Sequence, residues 1–197
     1  MTIISCYDTL IVNKKPRKVY NMKTKDLTLI ALFSVLIAIC SWISIPSAVP
    51  FTLQTFAVFL AVGLLGGKRG TLSILTYILL GTLGVPVFAN FTGGVGVLLG
   101  STGGYILGFL GSAIILWTIT RIFGEKTGVL AIGMVAGALV YYTFGTVWFM
   151  MVYIHTHGAV SLLTVLTWCV FPFIIPDLIK ILLALFLTKK LKGRILV

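Results

Sequence analysis

Asp177 and Lys180 are the one acid and the one base set inside an otherwise uncharged apolar stretch, Phe171-Pro172-Phe173-Ile174-Ile175-Pro176-Asp177-Leu178-Ile179-Lys180. An ionisable side chain in a membrane span costs about 2.5–3.5 kcal/mol on insertion scales, and it persists where it faces a bundle interior or a cavity. Three residues apart on a helix, the two side chains project from one face. Pro176 suits a first helical turn, where its missing N–H has no partner in any case. The stretch is therefore predicted to open a helix whose first turn aims a carboxylate and an ammonium at something polar. An internal ion pair that only orients helices is the competing explanation.

Two other segments carry polar groups into apolar surroundings. Pro46 and Pro50 break the chain just before Gln54 enters an apolar run. Glutamine is costly in lipid, so it should face inward, as a ligand contact or a helix-to-helix hydrogen bond. Residues 85–104 are uncharged, apolar and glycine-rich. Irregular backbone at membrane depth is tolerated where protein or water covers it, which predicts a lid folded over a cavity. A glycine-rich packing corner is the alternative.

Material for catalysis is scarce. Gly66-Gly67-Lys68-Arg69-Gly70-Thr71 superficially resembles a phosphate-binding loop, but Val62 and Arg69 occupy the wrong positions. His155 and His157 stand two apart, and two ligands do not make a metal site. Cys6, Cys40 and Cys169 share no short spacing, so neither a disulfide framework nor a zinc site follows. With four acids in the whole chain, no metal and no cofactor is expected. The chain should bind or move a solute rather than act as an enzyme.

The elements that must hold these residues are membrane helices. The 197 residues are 59% apolar and 10% charged, against about a quarter charged in soluble domains, and the mean hydropathy is +1.14. Six spans are predicted, roughly 27–45, 52–66, 70–84, 101–120, 127–150 and an interrupted sixth at 160–171 and 176–188. The second and third are short and should be tilted or completed by ordered loops. The net charge of +11 is explained by loop bias rather than by nucleic acid. Lys14, Lys15, Arg17, Lys18, Lys23 and Lys25 precede the first span. Lys68 and Arg69 separate spans two and three, and Arg121 and Lys126 separate four and five. Lys189, Lys190, Lys192 and Arg194 follow the last, and only Lys180 remains. The connections at 46–51, 85–100 and 151–159 have no base. The positive-inside rule then puts both termini in the cytoplasm. The layout is a basic cytoplasmic tail at 1–26, a membrane domain at 27–188 and a basic cytoplasmic tail at 189–197. Met22, just before the first span, is a candidate initiator, which a native mass beginning earlier would exclude. Eleven residues separate Asp177 from Thr188, about 16 Å of helix, so the pair should lie in the outer half of the bilayer.

Pro50-Phe51-Thr52-Leu53-Gln54, Gly84-Val85-Pro86-Val87-Phe88-Ala89, Gly93-Gly94, Gly100-Ser101-Thr102-Gly103-Gly104-Tyr105, Tyr142-x-x-Gly145-x-x-Trp148 and Pro172-Phe173 through Asp177-Leu178-Ile179-Lys180 together resemble the BioY family. These are biotin-binding S components of energy-coupling factor (ECF) vitamin transporters. The resemblance spans roughly residues 25–190, with the motifs in order. It implies an all-α six-helix bundle, a biotin pocket near the outer face, and assembly with a transmembrane T subunit and two cytoplasmic ATPases. It places ligand contacts at Asp177, Lys180, Tyr105, Gln54, and Thr92 before Gly93 and Gly94; Phe51 and Phe88, ranked below Asp177, are apolar contacts read from the fit of aromatic residues to biotin's ring and tail. It also suggests that the face carrying Ala31, Ser34 and Ala38 meets the T subunit; packing within the bundle explains the Ser34 to Ala38 spacing equally well. Two positions depart from the family pattern: Pro176 stands where Gly is usual, and Ser101 where Pro is usual. A stand-alone carrier, proton-coupled through Asp177, is the rival function, and a non-transport scaffold the third.

Overall fold

The computed structural model describes residues 23–47 and 49–195. The expectations for the amino-terminal tail and for Met22 lie outside them. Among the described residues the chain is helical apart from one small hairpin and the connecting turns. The helices are α1 (Thr24–Trp42), α2 (Gln54–Leu65), α3 (Gly67–Thr82), α4 (Val95–Leu99), α5 (Gly103–Phe123), α6 (Thr127–His157), α7 (Leu162–Cys169) and α8 (Phe171–Ile195). Strands β1 (Ser44–Ile45) and β2 (Phe51–Thr52) pair antiparallel between α1 and α2.

Four helical stretches are long and apolar enough to cross a membrane: α1, α5, α6 and the run Leu162–Lys192. Their outer faces carry Leu32, Val35, Ile132, Leu139, Leu182 and Phe186, all more than half exposed, as expected where lipid replaces water. The chain is a multi-pass membrane protein. α2 has 12 residues, about 18 Å, too short to span alone. It is apolar on all sides, and eleven of its residues are buried, so it forms the axis of the bundle, packed against α1, α3, α5 and α8. The β1–β2 hairpin continues the chain at its amino end, as the short span predicts.

Several boundaries move. Lys68 and Arg69 belong to the first turn of α3, because Gly66 at φ 78 turns the chain tightly after α2. Arg69 bridges to Asp26 at 2.9 Å. α6 continues to His157, so both histidines sit on its last turn rather than in a loop. α8 extends past residue 188 into the predicted carboxyl tail. Its start also differs. The break falls at Val170, and α8 runs from Phe171 through Pro176. Pro172 takes the first-turn position assigned to Pro176, which instead costs the helix one backbone bond in its second turn.

α5 and α6 form an antiparallel pair closed by glycines. A Cβ at Gly104 would lie 2.2 Å from Trp148 Cβ, and one at Gly145 would lie 2.2 Å from the Tyr105 ring. Ser112 donates across the seam to the Gly137 carbonyl at 2.6 Å. At Gly108 the obstacle is backbone: a Cβ would stand 2.9 Å from Tyr141 Cα. Gly108→Ala is therefore expected to cost about 1–3 kcal/mol of stability, read as a lower melting temperature in detergent. Gly128→Ala, whose methyl meets nothing within 4 Å, serves as the comparison. Equal melting temperatures would show that the seam has slack.

Ser34 and Ala38 are buried within this chain, and Ser34 donates to the Ser73 carbonyl of α3 at 2.8 Å. Their small side chains let α1 approach α3, which corrects their assignment to a partner face. Of the three, only Ala31 is exposed.

Candidate ligand-binding site

Asp177, in the second turn of α8, gathers donors from three helices. Its Oδ1 accepts from Thr55 Oγ1 of α2 at 3.1 Å and from Lys180 Nζ at 2.8 Å. Its Oδ2 accepts from the Tyr142 hydroxyl of α6 at 2.6 Å and from the Tyr141 hydroxyl. Lys180 Nζ also donates to the Thr52 carbonyl at 2.6 Å and lies 4.2 Å from the centre of the Phe51 ring. Asp177 and Lys180 are each 4% exposed. Taking both charges out of water is affordable only with such complete pairing.

The cluster forms one wall of a cavity of about 330 Å³, within the usual size of small-molecule sites. Tyr105 and Phe109 of α5, Phe173 of α8, and Phe88 supply aromatic walls. Ser47 and Thr52 contribute from the hairpin, and Asn90, Thr92 and Thr102 from the segment between α3 and α5. Aromatic walls facing polar groups from several elements are what orient one small guest.

Of the residues singled out from sequence, Asp177, Lys180, Gln54, Thr92, Tyr105 and Phe88 line this cavity. Gln54 Nε2 donates to the Tyr77 hydroxyl at 2.9 Å, and the Tyr105 hydroxyl lies 3.3 Å from Thr146 Oγ1. Phe51, Gly93 and Gly94 do not line it. Phe51 lies behind, against Lys180 and Phe173. Gly93 passes so close to Val85 that a Cβ would meet its carbonyl oxygen at 2.4 Å, and Gly94 has φ 96. These glycines shape the backbone beside Thr92. Thr55, Tyr141, Tyr142 and Asn90 were not singled out as contacts. The adjacent phenols Tyr141 and Tyr142 in the apolar α6, and the Tyr142-x-x-Gly145-x-x-Trp148 motif, are the sequence signals that point to the tyrosines; Thr55 and Asn90 have none.

The family model described as "BioY family" matches residues 13–196. The chain belongs to the BioY family. A Thermotoga maritima protein named "Biotin transporter BioY" is 44% identical over 163 residues, covering 82% of this chain and 92% of that protein. A Pyrococcus horikoshii protein named "Probable biotin transporter BioY" is 40% identical over 174 residues, covering 87% and 99%. Among solved structures, the crystal structure of "the S-component for biotin from an ECF-type ABC transporter" matches with a TM-score of 0.77 and 26% identity, over 88% of this chain and 95% of that one.

The BioY motifs now have physical reasons. In Gly100-Ser101-Thr102-Gly103-Gly104-Tyr105, Thr102 and Tyr105 line the cavity. Gly103 and Gly104 lie where a Cβ would strike the Leu98 carbonyl and Trp148. In Tyr142-x-x-Gly145-x-x-Trp148, the phenol binds Asp177, the glycine admits Tyr105, and the indole donates to the Gly100 carbonyl at 3.0 Å.

Proposed function

We propose that this chain is the biotin-capturing S component of an ATP-driven ECF importer. The observation that carries this is the buried Asp177–Lys180 pair, satisfied by four donors to the carboxylate and lining a cavity of small-molecule size. In support, the two relatives described above are named as biotin transporters, and the matching crystal structure is titled as an S component for biotin. Biotin's ureido ring brings two N–H donors and one carbonyl. Tyr141 and Tyr142, whose O–H groups donate to Asp177, offer oxygens polarised by the carboxylate as acceptors for those N–H groups. Lys180 and Asn90 can donate to the carbonyl. Tyr105, Phe109 and Phe88 suit the thiophane ring and tail.

The same proposal takes six crossings with both termini cytoplasmic, α2 and α3 crossing with the help of the loops at their ends. It takes a T subunit and two cytoplasmic ATPases as the energy source. A proton-coupled carrier is disfavoured, since a carboxylate held by four donors is a poor proton relay. Biotin is expected to raise the melting temperature of the purified protein in proportion to ln(1 + [L]/Kd), about 2.7 kcal/mol at a hundredfold excess over Kd, while thiamine and riboflavin do not. Equal stabilisation by all three would remove the biotin assignment. Uptake of labelled biotin without ATPase partners would favour the carrier.

A further inference from the structure

Residues 85–93 form a flap with a glycine of positive φ on each side, Gly84 at φ 97 and Gly94 at φ 96. The base of the flap is pinned to α3: the Gly84 and Gly94 N–H groups both donate to the Gly81 carbonyl, at 3.1 and 2.6 Å, and Phe88 is buried against Tyr77. The tip at 89–92 is the part left to move. Inside the flap, the Phe88 N–H donates to the Thr92 carbonyl at 2.9 Å. At its tip, Asn90 and Phe91 both have φ 56. Asparagine enters this left-handed region readily; phenylalanine seldom does. Phe91 is 65% exposed, so burial in the core does not hold it there.

Trp42, the last residue of α1, does. Its ring stacks on Phe91 with centroids 5.1 Å apart, and its indole N–H donates to the Pro86 carbonyl at 2.9 Å. Ser44 adds a hydroxyl bond to Asn90 Oδ1 at 3.0 Å. Phe88, Ala89, Asn90 and Thr92 of the same flap line the cavity.

We propose that Trp42 is a positioning residue that clamps the tip of the 85–93 flap over the cavity, and that release of this clamp admits and discharges the ligand. The inference rests on the biotin assignment. A clamp that holds the closed form with or without ligand slows entry and exit together. Weakening it therefore raises both rates and leaves affinity nearly unchanged, which general loosening of the fold would not do.

The test measures association and dissociation of radiolabelled biotin on the purified full-length protein. Trp42→Phe removes the indole donor and keeps a ring; Phe91→Ala removes the stack and keeps the donor. Each is expected to raise both rates about threefold to tenfold, the range set by one lost bond, with Kd moving less than either rate. Trp148→Phe removes an equivalent indole bond beyond the flap, to Gly100, and is expected to leave both rates near wild type. Unchanged rates in Trp42→Phe and Phe91→Ala would overturn the proposal. So would faster dissociation alone, or the same acceleration in Trp148→Phe. If Trp42→Phe does not fold, Phe91→Ala decides alone. Failure of the wild-type protein to bind biotin is a separate result and removes the biotin assignment itself.

Discussion

Asp177→Asn is expected to lower biotin affinity at least tenfold, a loss of about 1.4 kcal/mol or more. The carboxylate holds four donors, two of them phenols on the cavity wall. An amide keeps the shape but brings an NH2 group where acceptors are needed. At the Oδ2 position that NH2 faces both phenols, and at the Oδ1 position it faces Thr55 and Lys180; with the charge gone, the oxygens offered to a ureido ring lose their polarisation. Isothermal titration of the purified protein measures the effect directly. An unchanged Kd would show that the carboxylate organises helices and takes no part in recognition.

Lys180→Met should act mainly on stability, by about 3–5 kcal/mol, because it leaves a buried carboxylate without its countercharge. The double variant Asp177→Asn with Lys180→Met is expected to regain most of that stability, since no net charge then remains buried, yet not to regain biotin binding. Melting temperature and titration on the four proteins of this cycle separate the two roles of the pair. If the double variant binds biotin as well as wild type, the pair serves the fold alone. If Lys180→Met melts with wild type, the buried pair is less isolated from water than its 4% exposures indicate.

The sequence revealed whatever polar chemistry in an apolar setting makes conspicuous. Asp177, Lys180 and Gln54 stood out because each is expensive in lipid, and all three line the cavity. The short α2 was legible because the apolar run predicted at 52–66 falls short of a bilayer. Other features gave no such signal. Thr55, Tyr141 and Tyr142 sit comfortably in any membrane helix, and they approach Asp177 from 122, 36 and 35 residues away. Asn90 looked like an ordinary loop residue; its side chain is tied down by Ser44, 46 positions earlier. Pro176 was misplaced because the rule that puts proline in a first turn is satisfied equally by Pro172. For Ser34 and Ala38, spacing identified close approach without saying whether the neighbour was α3 or another chain.

The glycine seam between α5 and α6 also bears on how such a binder changes its preference. Tyr105 leans on Gly145 and Tyr141 on Gly108, so the hairpin works like a calliper whose gap is calibrated by missing methyl groups. A single carbon added far from any guest would reset the distance between opposite jaws. Selectivity could then drift without any substitution among the residues that meet the cargo.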